Sequence, residues 1–261
     1  MTPSQASGDA QPEDALWLPP LSGAAARRRP TRPSRPRDLL SRDQIVRAAI
    51  AVADAEGADA VGMRRIAREL DVGTMSLYWY VASKDELLAF MIDTVEGEFE
   101  IPPPSGNWRA DLTEAAHNIR SVLVRHGWMA NFIGYRRSVG PNELIHLENS
   151  LATLAGADLG LDLAEALRIL MAIETYVLGF AQRDQQELRV EHDTAKRLAA
   201  NPESSVLYQV SIYIEQLKAT GRYPLLARLF EEGTVLGRDE RFDYGLKCLL
   251  DGIEADLQHR T

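Results

Sequence analysis

Apolar residues recur every third or fourth position through most of this chain, the period of helices that each bury one face. The first such stretch covers residues 41–56 (SRDQIVRAAIAVADAE) and turns Ile45, Ala48, Ala49 and Val52 inward. Ser41 and Gln44 stand at capping-box spacing, which satisfies orphan N–H groups at a helix start, and Gly57 offers a stop. A second, short helix is expected over about residues 63–70, with Ile66, Ala67 and Leu70 inward. Asp71-Val72-Gly73 predicts a tight turn, after which Thr74 opens a third short helix, TMSLYWY. Ser83 and Glu86 repeat the capping pattern and start a fourth helix reaching about residue 98.

The pattern continues past residue 90. A helix over 108–125 places Leu112, Ala115, Ala116, Ile119, Val122 and Leu123 on one side, and residues 127–135 (GWMANFIGY) are apolar and aromatic. Residues 141–155 carry Leu144, Leu147, Leu151 and Leu154 at helical spacing. Residues 163–187 predict a long helix whose first half is almost wholly apolar, whereas the polar run 188–202, ending in Asn201-Pro202, reads as a mobile loop. A last helix over 242–257 aligns Phe242, Leu246, Leu249, Leu250, Ile253 and Leu257. Gly245 and Gly252 lie seven apart on it, small enough to let a partner helix approach. The expected fold class is all-α: a three-helix helix-turn-helix domain over residues 38–88, then a larger helical domain over 89–261.

Charge changes the picture more than composition does. The formal net charge of −9 argues at first against nucleic acid. Its distribution reverses that. Residues 27–90 hold 12 Lys/Arg against 9 Asp/Glu, while the excess of acid falls on 1–26 and 91–261. Residues 1–37 predict a disordered tail, and within it 27–37 (RRRPTRPSRPR) contain six arginines, three prolines and no acid. Such density resists compaction and the prolines forbid a helix, so an extended arm is expected. Beside a DNA-binding unit its arginines, Arg35 and Arg37 nearest the fold, are placed to enter a minor groove or hold phosphates. Cys248 is the single cysteine, which excludes an intrachain disulfide and argues against a cysteine-based zinc site. No apolar run approaches the roughly 20 residues of a membrane span, and the first 26 residues lack a signal peptide's basic start and apolar core. A cytoplasmic protein that does not enter membranes is therefore expected. No nucleophile elbow, metal-spaced cluster or phosphate loop is present, so no enzyme activity, cofactor or metal is expected.

Two short helices across a three-residue turn are the pattern of a helix-turn-helix. The second helix enters the major groove, its first side chains meet base edges, and flanking groups hold phosphates. The pattern alone is weak, since many helical domains contain such a pair. The run Tyr78-Trp79-Tyr80 and the nearby Lys84 strengthen it, because a purely structural helix would not present three aromatics in succession, although part of the trio is also expected to belong to the core.

The segment GMRRIARELDVGTMSLYWYVASKDEL resembles the DNA-binding domain of the TetR family of transcriptional repressors, most closely in LYW-x-V-x-x-K. The resemblance implies that Arg64 reads a guanine edge and that Thr74 and Ser76 contact bases, with Met75 between them able to meet a thymine methyl. It implies phosphate or sugar contacts for Tyr78, Trp79 and Tyr80, and a phosphate contact for Lys84. Two positions depart from the family: Gly62 stands where a Ser or Thr cap is usual, and Asp71 replaces the turn glycine. The tail FDYGLKCLLDG also resembles the family's, which implies a homodimer through helices 163–187 and 242–257 on a palindromic double-stranded operator.

The implied function is a repressor released from DNA by a small-molecule effector held in an apolar cavity with a few polar groups. His117, Trp128, Met129, Phe132, Tyr135, Met171, Glu174 and Phe180 are the candidates, with Asn118 a further hydrogen-bonding group. Glu174 stands out as an acid within an apolar stretch, and a structural Glu–Arg pair is an equal reading of it. The family's tetracycline-binding members hold a magnesium ion through a histidine; here Phe132 stands at that position and Arg183 intrudes near the glutamate region, so metal-dependent recognition is not expected. A regulator that activates or works without a small molecule, and a helical enzyme or carrier, remain the alternatives.

Overall fold

The computed structural model describes residues 40–101, 103–132, 140–200, 206–232 and 236–259, and the regular structure among them is helical throughout. The arginine arm, with Arg35 and Arg37, lies outside the described residues, as does Tyr135. The chain divides into two compact units: one gathers the described residues up to Glu100 with Asn131–Asn149, the other Ile101–Ala130 and the residues from Ser150 onward.

In the first unit α1 spans Arg42–Glu56. Its start is the reciprocal box expected from sequence. The Gln44 N–H donates to Ser41 Oγ at 3.2 Å, and the Ser41 N–H donates to Gln44 Oε1 at 2.9 Å. Gly57 ends the helix at φ +88°, a backbone open chiefly to glycine. After a short 3-10 turn, α2 covers Met63–Glu69, α3 Thr74–Leu77 and α4 Lys84–Glu96. Asp71 between α2 and α3 does take the left-handed conformation, at φ +51°, which Asp tolerates better than most residues. At α4 the Glu86 N–H donates to Ser83 Oγ at 3.0 Å, while the Glu86 carboxylate reaches back to the N–H of Ala82 rather than of Ser83. The core is Ile45, Ala49, Val52, Ile66, Leu77, Leu87 and Met91, all buried. Each large aliphatic among them contributes about 1.5–3 kcal/mol of burial. Ala48 and Leu70, expected inside, are only half-buried, and Met63 takes a core position instead.

The second unit is built on α5 (Trp108–Arg125), α7 (Leu163–Ala200) and α10 (Arg238–Gln258), with α8 (Val206–Ala219) and α9 (Pro224–Glu231) between the last two in sequence. α6 (Pro141–Ala155) supplies residues to both units. The loop expected at 188–202 is not found: α7 continues to Ala200. Residues 188–200 contain no Gly or Pro, and Glu187 and Glu191 on this part of α7 are paired with arginines. Glu187 takes both Arg241 nitrogens at 2.9 and 2.6 Å and Arg183 at 2.9 Å, and Arg238 reaches Glu187 and Glu191. The hydrogen bonds from Arg241, then Arg183, hold the Glu187 carboxyl down at about 2. A polar surface can thus belong to a helix whose side chains pair outside the core.

Gly245 also differs from expectation. A Cβ there would stand 2.3 Å from the Tyr176 hydroxyl of the same chain, and that hydroxyl donates to the Phe242 carbonyl at 2.8 Å. The close approach that Gly245 permits is therefore between α7 and α10 within one chain. Gly252 meets nothing within 4 Å and remains open.

Candidate nucleic-acid interface and effector-binding core

α3 is pinned by alternate demands on a very short segment. Leu77 and Val81, four apart, are fully buried and fix its inner side. The residues from Thr74 to Lys84 that are expected to meet DNA are then turned outward or half-outward. Met75 is 74% exposed and Trp79 86% exposed, while Ser76, Tyr78, Tyr80 and Lys84 are exposed and Thr74 half-buried. Solvated methionine and tryptophan side chains gain nothing from the fold of this chain, and a large apolar group left in water marks a contact surface. Lys84 is the first residue of α4 and continues the same edge of the segment.

On α2, two neighbouring arginines have different fates. Arg65 is clamped, with Nη2 at 2.8 Å from Glu56 Oε1 and Nη1 at 2.6 Å from Glu69 Oε2, and those bonds raise its pKa and lower that of Glu56. Arg64 is exposed and makes none of these contacts. The clamp occupies the arginine that faces the fold and leaves Arg64 presented. Gly62, at the cap of α2, supplies no side-chain bond, as its identity requires. The Arg65–Glu69 half of the clamp was readable as an i,i+4 pair; Glu56, on another helix, was not.

The expected effector residues do not gather in one place. Trp128 and Met129 are buried, and the adjacent Ala130 carbonyl accepts the Gln182 side-chain amide of α7 at 2.8 Å. Phe132 is half-buried. His117 and Phe180 meet through Phe242, whose ring lies 5.1 and 5.3 Å from theirs. His117 Nε2 also stands 3.2 Å from Asp243 Oδ1 and lines a recess of about 220 Å³ with Arg109, Thr113, Leu246 and Lys247. Met171, 56% exposed, and Glu174 lie on the outer side of α7. Glu174 keeps an exposed surface, yet the protein around it desolvates its carboxyl enough to raise it above the ordinary carboxylate range.

Sequence reasoning missed the strongest polar feature of this unit. Arg120 and Asp184, 10% and 2% exposed at their side chains, form a two-point pair: Nε to Oδ2 at 2.8 Å and Nη2 to Oδ2 at 2.7 Å. The guanidinium lies 4.6 Å from the Phe242 ring centre and 5.3 Å from that of Phe180. Asp239 takes its remaining arm at 2.9 Å. The signal existed: Arg120 follows Ala116 by four on the buried face of α5, and Asp184 follows Phe180 by four on α7.

An open groove of about 400 Å³ runs along α7 and α10, lined by Leu161, Ile169, Ala172, Leu249, Gly252 and Ile253 among others. Leu163, Met171 and Tyr244 are exposed on the same two helices. Among the described residues no helix is long and apolar enough to cross a membrane.

Comparison with known proteins places both units within one family of regulators. Residues 45–91 match the family profile described as bacterial regulatory proteins, tetR family, and residues 102–257 match the tetracyclin repressor-like C-terminal domain. The chain is 36% identical over 233 residues to the HTH-type transcriptional repressor DrrR1 of Streptomyces coeruleorubidus, covering 88% of this chain and 83% of that protein. Among solved structures it is similar to the Streptomyces coelicolor TetR family protein ActR in complex with actinorhodin, at a TM-score of 0.63 and 31% identity over 84% of this chain and 98% of that one. It is also similar to BioQ with its double-stranded DNA operator, at a TM-score of 0.50 and 27% identity over 56% of this chain and 88% of that one.

Proposed function

This chain belongs to the TetR family of bacterial regulatory proteins, and from that membership and the exposed face of α3 we infer that it is a ligand-responsive transcriptional repressor. The carrying observation is the outward row of Thr74, Met75, Ser76, Tyr78, Trp79, Tyr80 and Lys84 on a segment anchored by Leu77 and Val81. In the major groove this row puts Thr74, Met75 and Ser76 against base edges and the aromatics and Lys84 against the backbone, with Arg64 placed to read a guanine. Arg35 and Arg37 of the arm add phosphate or minor-groove contacts. Two copies associate through the open groove and the exposed apolar side chains of α7 and α10, and the two-fold pair matches a palindrome with half-sites about one turn apart. It works in the cytoplasm, where its operator is.

The second unit binds the effector, where His117 and Phe180 meet through Phe242 and where Trp128 and Met129 are buried. The ligand acts only through unequal affinity for the DNA-binding and released arrangements of the two recognition helices. ActR, whose bound actinorhodin is a precedent within the family, supplies the first compound to try.

The test is a gel shift of the purified chain with the intergenic DNA beside its gene. A retarded band that a small molecule abolishes is the expected result, with actinorhodin first and then compounds made or exported by the neighbouring genes' products. A chain that retards no such DNA at low salt overturns the reading.

A further inference from the structure

The row from Thr74 to Lys84 is apolar and basic at once. Met75 is 74% exposed and Trp79 86% exposed, and the Tyr78 and Tyr80 rings are exposed as well. Lys84 closes the row, and residues 74–84 contain no acid. Arg64 on α2 is exposed in the same unit. DNA covers this surface only while the protein is bound to it. In the free protein an indole, a thioether and two phenols stand in water, and such a surface draws apolar groups onto itself.

One segment of the same chain has the complementary composition. The described chain begins at Leu40, just before α1 of this unit, and residues 1–39 precede it. Residues 1–26 carry Asp9, Glu13 and Asp14 and no Lys or Arg. Apart from Met1, the large apolar side chains of residues 1–37 are confined to Leu16, Trp17, Leu18 and Leu21. They follow Glu13 and Asp14 at once, in the run EDALWLPPL. A tail that only solubilises has no use for a tryptophan between two leucines. Reach is ample. Residues 22–39 join the run to α1, and these 18 residues extend to about 60 Å. A small domain is on the order of 30 Å across. A tether of this kind holds the run near the row at an effective concentration on the order of millimolar.

We propose that residues 13–21 dock on the Thr74–Lys84 row of their own chain and compete with DNA for it. Trp17 and its flanking leucines cover Met75 and Trp79, while Glu13 and Asp14 face Lys84 and Arg64. The inference rests on the reading of this row as the DNA-contacting surface. Since the run occupies what every duplex needs, it lowers affinity for all sequences by one common factor.

The test uses the full chain with 5-fluorotryptophan at its four tryptophans. Trp17→Phe and Trp79→Phe assign the two fluorine resonances that matter. In the free wild type the Trp17 fluorine shows the small H2O-to-D2O shift of a covered indole, and a duplex of arbitrary sequence exposes it. Trp79→Ser exposes it with no DNA present; Trp79 lies on the surface, so the fold survives its loss. Affinity for the same duplex is measured beside this by fluorescence anisotropy. Trp17→Ser with Leu18→Ser raises it about tenfold, as does Glu13→Gln with Asp14→Asn, if the row is open in about one free molecule in ten. A Trp17 fluorine equally exposed in all these states overturns the docking. So does a gain in affinity from the charge variant alone, which means that the acids only repel phosphates or pair with the arginines of 27–37. Exposure of Trp17 that varies with protein concentration places the run on a second copy and overturns the contact within one chain. Failure of wild type and variants alike to bind any duplex at low salt overturns the repressor reading instead, and the Trp17 response to Trp79→Ser still decides the docking.

Discussion

Asp184→Ala destabilises the protein by about 3–5 kcal/mol, because it leaves the Arg120 guanidinium buried without its principal counter-charge. What remains to Arg120 is Asp239, an exposed acid that water already screens. The pair is not itself a large source of stability. Two charges were taken out of water to form it, and that cost offsets most of their attraction. Replacing both residues by apolar ones, as in Arg120→Met with Asp184→Leu, therefore recovers most of what the single change loses. The measurement is the denaturation midpoint of the single and double variants. A loss below about 1 kcal/mol for Asp184→Ala means that the pair is more hydrated than its geometry requires. Neither residue lies in the unit that carries the DNA-facing row, so folding is the direct readout of the change.

Arg64→Ala and Lys84→Ala both weaken DNA binding, in ways that separate their roles. A base-reading arginine costs about 1–3 kcal/mol when truncated, a loss of about 5- to 150-fold in affinity, and preference relaxes at one base pair. Lys84 as a phosphate ligand weakens every sequence alike, and the salt dependence flattens by about one counterion. Arg65→Ala is the control. Its guanidinium is committed to Glu56 and Glu69, so its loss acts first on the joint between α1 and α2. Affinities of the three variants, measured across a salt series on matched and single-substituted duplexes, check the assignment. If Arg64→Ala loses affinity evenly across sequences while Lys84→Ala loses it at one base pair, the two roles are reversed.

Much of the first unit was legible in the sequence because its determinants are local. The Ser41–Gln44 box, the Gly57 stop, the left-handed Asp71 and the Ser83 cap are each written within a few residues. The run Tyr78-Trp79-Tyr80 was legible as a contact feature, but not that all three rings lie outside, as they do around buried Leu77 and Val81. What escaped is long-range. The extension of α7 to Ala200 depends on Arg238 and Arg241 from a helix about fifty residues later in sequence. Gly245 fits Tyr176 rather than a partner for the same reason, and the Arg120–Asp184 pair and the Asp93–Asn142 hydrogen bonds join residues 64 and 49 positions apart. The effector residues were least legible of all. Apolar spacing marks a buried face, and a core and a cavity wall carry the same spacing, as buried Trp128 and exposed Met171 illustrate.

Selection of random-sequence duplexes by the full chain, followed by sequencing, reads its DNA specificity and its two-fold symmetry together. The expected result is enrichment of one palindromic site whose half-sites lie about one helical turn apart, lost in Arg64→Ala at the base it reads. Failure to enrich any sequence over the starting pool would contradict it, as would enrichment of a single asymmetric site.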